Sequence, residues 1–188
     1  SRPPMSIRQQ NQGSIVKPGF NPLGAQTVSY TYNLYSWGAG TDGVLGTGST
    51  SNVSSPTQVG SQTWTAIARG ASAGAAIRSD GTLWAWGNNA DGTLGLSNTT
   101  NYSSPKQVGA LTAWSKIAGG NSFFHAIKTD GTLWSWGANN RGQLGLGNIT
   151  KYSSPKQVGA LTNWRSTSSG PDFTVATKTD NTIWTWGG

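Results

Sequence analysis

The stretch Phe124-His125-Ala126-Ile127-Lys128-Thr129-Asp130-Gly131-Thr132-Leu133-Trp134-Ser135-Trp136-Gly137 decides the fold. Two alternating runs flank Asp-Gly, a strong short-range hairpin signal. A two-residue type I′ turn there pairs Ile127 with Trp134 and His125 with Trp136. The stretch recurs fifty residues away on either side. The same register pairs Ile77 with Trp84 and Ala75 with Trp86 across Asp80-Gly81. It pairs Thr177 with Trp184 and Val175 with Trp186 across Asp180-Asn181, where Asn also tolerates positive φ. An altered anchor, Leu34-Tyr35-Ser36-Trp37-Gly38, comes earlier, and Trp64, Trp114 and Trp164 form a second series at the same spacing. A fixed period of this length is the mark of a repeat architecture.

Each repeat continues alike. After Trp-Gly comes a polar loop ending in Gly-x-Leu-Gly, at Gly43–Gly46, Gly92–Gly95 and Gly142–Gly145. A Ser/Thr/Asn-rich stretch leads to Ser-Ser-Pro-x-Gln-Val-Gly, at Ser54–Gly60, Ser103–Gly109 and Ser153–Gly159. Proline rules out a central strand there and predicts an edge or a loop. Trp64–Ala68 and Trp114–Ala118 then alternate like strands. Ahead of the first anchor, Val28, Tyr30, Tyr32 and Leu34 alternate with polar residues and predict a strand running into it.

Composition agrees with an all-β chain. Gly is abundant at 27 residues, only 10% of the chain is charged, and there is no Glu, on which long surface helices rely. There is no Cys, hence neither a disulfide framework nor a thiolate metal site. No apolar run approaches the ~20 residues of a membrane-spanning helix. Thirteen Lys and Arg against six acids give a net charge of +7. The basic residues are spread out, so nucleic acid is the weaker candidate partner and other protein subunits the stronger one.

The anchors and their spacing resemble the regulator-of-chromosome-condensation repeat family. Trp136-Gly137-Ala138-Asn139-Asn140-Arg141-Gly142-Gln143-Leu144-Gly145 carries the family's Trp-Gly-x-Asn-x-x-Gly-Gln-Leu-Gly pattern. The likeness covers residues 33–188. It implies a β-propeller with blades of about four strands. Family propellers usually have seven blades, whereas this chain holds about three. The expected fold is therefore all-β: a partial or oligomer-completed propeller over residues 28–188, preceded by an extended arm over residues 1–27. Further chain after Gly188, closure between subunits, or an open arc on a larger assembly would each protect the edges of such a partial ring.

Candidate chemistry is sparse. The sole histidine, His125, corresponds to Ala75 and Val175 and reads as a packed blade residue rather than a catalytic base. Six scattered Asp offer little for paired-carboxylate catalysis. Gly38–Gly43 matches G-x-G-x-x-G, but it opens no helix after a strand, as phosphate binding needs. Asn52, Asn98, Asn101 and Asn148 begin glycosylation sequons that turn chemistry also explains. The tryptophans read as blade core, and no cofactor or metal is expected. Binding is expected where the copies differ: loop residues Asn88, Asn89, Asn139, Asn140 and Arg141, and Tyr102 and Tyr152 beside Lys106 and Lys156. In the arm, Arg2, Arg8, Ile15, Val16, Lys17, Phe20 and Leu23 are expected to dock on a partner.

The expected function is a non-catalytic structural or binding subunit, homo-oligomeric or part of a larger assembly. The Glu-free, Cys-free, near-copied repeats look like phage virion proteins, which puts the chain in a virion or outside the cell. The alternatives are a chromatin-binding nucleotide-exchange propeller, as the resemblance implies, and a secreted glycan-binding adhesin.

Overall fold

The computed structural model describes residues 30–188. The arm residues Arg2, Arg8, Ile15, Val16, Lys17, Phe20 and Leu23 lie outside them. Thirteen strands form four antiparallel sheets in this part of the chain. The first sheet pairs β1 (Tyr35–Gly38) with β2 (Val53–Gln58). The second runs in order through β3 (Trp64–Arg69), β4 (Ala73–Arg78), β5 (Leu83–Gly87) and β6 (Tyr102–Gln107). The third repeats this with β7 (Trp114–Gly119), β8 (Phe123–Lys128), β9 (Leu133–Gly137) and β10 (Tyr152–Gln157). The fourth holds β11 (Trp164–Ser169), β12 (Phe173–Lys178) and β13 (Ile183–Gly187). There are thus two complete four-stranded blades, flanked by a sheet of two strands and a sheet of three. The strand expected over 28–34 is absent from its described part: β1 starts at Tyr35, and before it only Tyr32 makes a bridge, to Trp64.

Meandering order follows from tight turns between neighbours. The turn itself differs from the expected one. Lys128 N–H donates to Thr132 O at 3.0 Å, so the loop holds three residues, Thr129, Asp130 and Gly131. Only Gly131 has positive φ, at 77°, and Gly81 and Asn181 repeat it at 78° and 65°. This is the three-residue hairpin whose last loop position is left-handed, not a type I′ turn. The register consequently moves by one residue. Trp134 faces Ala126 and Trp136 faces Phe124, not Ile127 and His125. In the second blade Trp84 faces Ala76 and Trp86 faces Gly74, and in the fourth sheet Trp184 faces Ala176 and Trp186 faces Thr174. A one-residue slip moves side chains to the opposite face of a sheet. His125 and Ile127 therefore lie on the face away from both tryptophans.

That exchange is affordable because both faces of the inner blades are covered. Phe123 through Ile127 are all buried, as are Ala73 through Ile77. On one face Trp136 stacks on Phe124, with ring centres 6.1 Å apart, and meets the edge of Trp114 at 6.4 Å. On the other, His125 meets Trp186 of the next sheet at 5.9 Å. The cluster of Ala75, Ile77, Leu83, Leu94, Phe124 and Trp136 joins the second sheet to the third. Burying such aromatic area supplies most of the driving force for stacking blades.

Edges fall where proline predicts. Pro56, Pro105 and Pro155 lie in β2, β6 and β10, each the last strand of its sheet. The pairing of β6 with β5 steps from Lys106↔Ala85 to Tyr102↔Gly87, a bulge that contains Pro105. At the opposite margin, β3 lies beside β7 and β7 beside β11, so these first strands of successive sheets line up as neighbours.

A candidate binding face

The loops after each Trp-Gly and the short β3–β4, β7–β8 and β11–β12 connections gather at one end of the sheets. They are tied from blade to blade. Ala71 N–H donates to Asn121 O at 3.0 Å, and Asn121 N–H to Pro171 O at 3.1 Å. The indole N–H groups of Trp86, Trp136 and Trp186 donate to Val44 O, Thr93 O and Gln143 O of the preceding repeat, at 2.9, 2.9 and 3.0 Å. Each indole needs a close approach, which glycine permits. A Cβ on Gly46, Gly95 or Gly145 would lie 2.8, 2.9 or 2.7 Å from the Nε1 it faces, and all three have positive φ. The Leu-Gly ending of the motif is thus a seat for the next blade's tryptophan.

Charged links repeat the pattern on the surface. Asp42, Asp91 and Arg141 occupy the same place in successive loops. Asp42 accepts from Asn88 at 3.0 Å and Asn101 at 3.2 Å, Asp91 pairs with Lys151 at 2.6 Å, and Arg141 pairs with Asp172 at 3.6 Å. Such partly exposed pairs add little stability, of order 0–1 kcal/mol each, but they set the register between loops.

The expected binding residues divide. Asn140 and Arg141 are exposed on this face, and Asn88 is half-buried against Asp42. Asn89 and Asn139 are not exposed at all. Asn89 Nδ2 donates to Asn98 O at 2.9 Å while its Oδ1 accepts from Leu94 N–H at 2.9 Å. Asn139 does the same with Asn148 O, Thr150 O and Leu144 N–H. Both are pegs that close their loops from within, because a buried amide must satisfy its donors and acceptor. The sequon asparagines join these closures: Asn52, Asn98 and Asn101 accept backbone N–H bonds from Gly40, Thr100 and Asn89.

Tyr102 and Tyr152 open outer strands β6 and β10 at this same end, opposite Gly87 and Gly137, and their hydroxyls accept from loop residues Asn98 and Asn148 at 3.5 and 3.3 Å. Each is half-buried with an exposed lysine over its ring: Lys106 at 5.5 Å and Lys156 at 5.6 Å.

The remaining polar groups are structural. Asp80, Asp130 and Asp180 each accept from the hydroxyl and N–H of the threonine two residues on, at 2.6 and 3.0 Å. These bonds hold their carboxyls below the ordinary range, the hydroxyl bond most of all. The same threonines accept from the indoles of Trp84, Trp134 and Trp184. Arg78, Lys128 and Lys178 lie over those rings at 5.3, 5.9 and 3.6 Å. The sequence reading missed this ladder, although Asp-x-Thr-x-Trp recurs in the three repeats. His125 is fully enclosed, and burial pushes its pKa down to about 3. Its ring nitrogens lie 3.3 and 3.4 Å from Thr174 Oγ1, whose hydroxyl donates to Gln143 O. No group of three His, Cys, Asp or Glu that could hold a metal occurs among the described residues. No helix there is long and apolar enough to cross a membrane. A cavity of about 600 Å³ between the first two sheets is lined by Leu34, Trp37, Leu45, Ile67 and Trp86, with Arg69 as its one charged residue.

Stacked four-stranded meanders, locked by a Trp-Gly anchor and a Gly-x-Leu-Gly seat, define a repeat β-propeller. The profile described as Regulator of chromosome condensation (RCC1) repeat matches residues 33–77, 80–127 and 130–177, and the chain belongs to that family. A second profile of the same description matches residues 64–93 and 114–143. Human WBSCR16 is similar in structure, with a TM-score of 0.74 at 23% identity, over 82% of this chain and 43% of that one. Yeast RCC1 (Prp20), solved bound to Kap60, superposes with a TM-score of 0.71 at 22% identity, over 81% of this chain and 39% of its own. Prp20p of Saccharomyces cerevisiae, described with its binding to Gsp1p and histones, gives 0.70 at 21%, over 83% and 40%. The chain thus spans about two fifths of the length of these structures. No curated protein sequence matches it.

Proposed function

We propose that the chain is a non-catalytic binding module whose loop-bearing face engages another protein. One observation carries this reading. The aromatic and amide groups common to the repeats are spent on internal closure, while the side chains left exposed on this face, Asn140 and Arg141 among them, are those that differ between copies. A rigid scaffold with variable tips is how loops usually carry recognition. Solved relatives of the same fold are described with Kap60, Gsp1p and histones as partners, which supports protein as the partner class. The Glu-free, Cys-free composition supports a virion or extracellular assembly as the setting.

The test is binding of the purified full chain to histones and to a small GTPase at physiological salt, followed by sedimentation, beside native mass measurement of the chain alone. Binding that weakens when Asn140 and Arg141 are both changed to Ala supports the loop face. Binding to neither class, with a monomer in the mass measurement, removes both the partner class and the assembly.

A further inference from the structure

We propose that the cavity between the first two sheets takes an extended, carboxylate-bearing segment of another protein, added as a strand to the free edge of β1. This surface lies between sheets and not on the loop-bearing face, so it does not rest on the function proposed above. In the second and third sheets the anchor strand has two neighbours, β4 and β6 around β5, and β8 and β10 around β9. Among the described residues β1 has only β2. Leu34 O accepts from Val59 N–H, so Leu34 and Ser36 turn their backbone groups toward β2. Alternation along the strand then turns the N–H and C=O groups of Tyr35 and Trp37 to the open edge. Such an edge is a template for an incoming strand.

The opposite wall is shaped to meet one. Where sheets are complete, the second strand of one lies beside the first strand of the next, β4 beside β7 and β8 beside β11. A strand added to β1 takes the same place beside β3. The Trp86 indole donates to Val44 O, so the face of the second sheet that bears it looks onto the first repeat. Arg69 stands opposite Gly74, and Gly74 opposite Trp86, which puts the Arg69 side chain on that face. Ile67, two residues earlier, shares the face and is 62% exposed. These residues border the cavity of about 600 Å³. At the place of Arg69 the next repeats hold Gly119 and Ser169, and a Cβ on Gly119 would lie 2.6 Å from Arg69 O. A blade therefore does not require the arginine.

Charge selects the occupant. All six acids of the chain lie among the described residues, residues 1–29 contain none, and none of the ion pairs includes Arg69. An occupant without a carboxylate would cover the guanidinium unpaired, which is costly, whereas a carboxylate gains a forked, charge-assisted partner. Ala73 starts β4 opposite Gly87, and Phe123 starts β8 opposite Gly137. An added strand of the same sense starts opposite Gly38, at the end of the sheets where Arg69 closes β3. The acid thus belongs at the N-terminal end of the incoming segment.

The experiment titrates the full chain with a blocked peptide of sequence Asp-Phe-Thr-Val-Ala-Thr, that of Asp172–Thr177, whose last five residues pair with anchor strand β13 in this fold. Amide NMR should show saturable shifts with a dissociation constant on the order of 0.1 mM. Amide hydrogen exchange at Tyr35 and Trp37 should slow on saturation. Arg69→Ala, at an exposed position, and Asp172→Asn in the peptide should each weaken binding roughly tenfold. The two together should weaken it no further than either alone, because both remove one contact. Asn140→Ala with Arg141→Ala should leave binding unchanged. The proposal is overturned by absence of saturable binding, the result if residues 1–29 or a second copy of the chain fills the cavity. It is equally overturned by a scrambled peptide that binds as well, by unaltered exchange at Tyr35 and Trp37, or by additive effects of the two changes.

Discussion

Between pH 7.5 and pH 5, acid should destabilise this protein through one side chain. His125 is the only histidine in 188 residues, and there is no Glu. In the folded chain its imidazole is enclosed between the third and fourth sheets, where desolvation lowers its pKa from 6.5 to about 3. A histidine depressed in this way stays neutral when folded and takes up a proton when unfolded. Stability is therefore fully present above the unfolded pKa of 6.5 and falls as pH drops from there toward 3. At about pH 5 the unfolded ring is almost wholly protonated and the folded ring is not, a difference of about 1.5 pH units below the unfolded value, or about 2 kcal/mol. With a urea slope of about 2 kcal/mol per M, the unfolding midpoint should drop by about 1 M between pH 7.5 and pH 5. Urea titrations by tryptophan fluorescence at the two pH values measure this directly. His125→Val places a counterpart's side chain there, since Val175 occupies that position in the next sheet, and the variant's midpoint should be nearly independent of pH across the same window. A natural chain with the same midpoint at both values, or a His125→Val chain that keeps the drop, would refute the reasoning.

Three other outcomes follow from the packing. Trp136→Ala empties a fully buried site and should cost about 3–5 kcal/mol, while Trp184→Ala, on a half-exposed ring, should cost clearly less by the same urea assay. Asn139→Ala leaves Leu144 N–H and two carbonyls without their partner and should cost about 1–3 kcal/mol, whereas Arg141→Ala at the exposed neighbouring tip should stay within about 0.5 kcal/mol. Thr132→Val removes the hydroxyl that holds Asp130 ionised, and carboxyl NMR should show the Asp130 pKa rising toward 3.8 while Asp180 is unmoved.

The sequence made the architecture legible through side chains that repeat. Trp-x-Trp-Gly, Gly-x-Leu-Gly and the edge proline each reappear at one place in the sheets. The hairpin register was misread because Asp-Gly fits two turns. Both accept glycine at positive φ, and only the Lys128–Thr132 hydrogen bond separates the three-residue loop from the two-residue one. The candidate face was legible in part. Variation between copies pointed to Asn140 and Arg141, whose side chains are exposed, but it could not separate them from buried Asn139 beside them. An asparagine in a polar loop has the same appearance whether it faces water or folds inward onto Asn148 and Leu144.

What the sequence determined alone is the kind of blade. Period, turn residues and alternation act over a few residues, and short-range sterics suffice to choose strands, edges and their order. Only the tertiary structure decided which faces meet. Trp136 reaches Thr93 O across 43 residues, His125 reaches Thr174 across 49, and Lys116 is held to Arg165 across the same distance. Those partners belong to neighbouring blades. Stacking depends on a one-residue choice of register that local propensity leaves nearly degenerate, and close packing of both sheet faces resolves it.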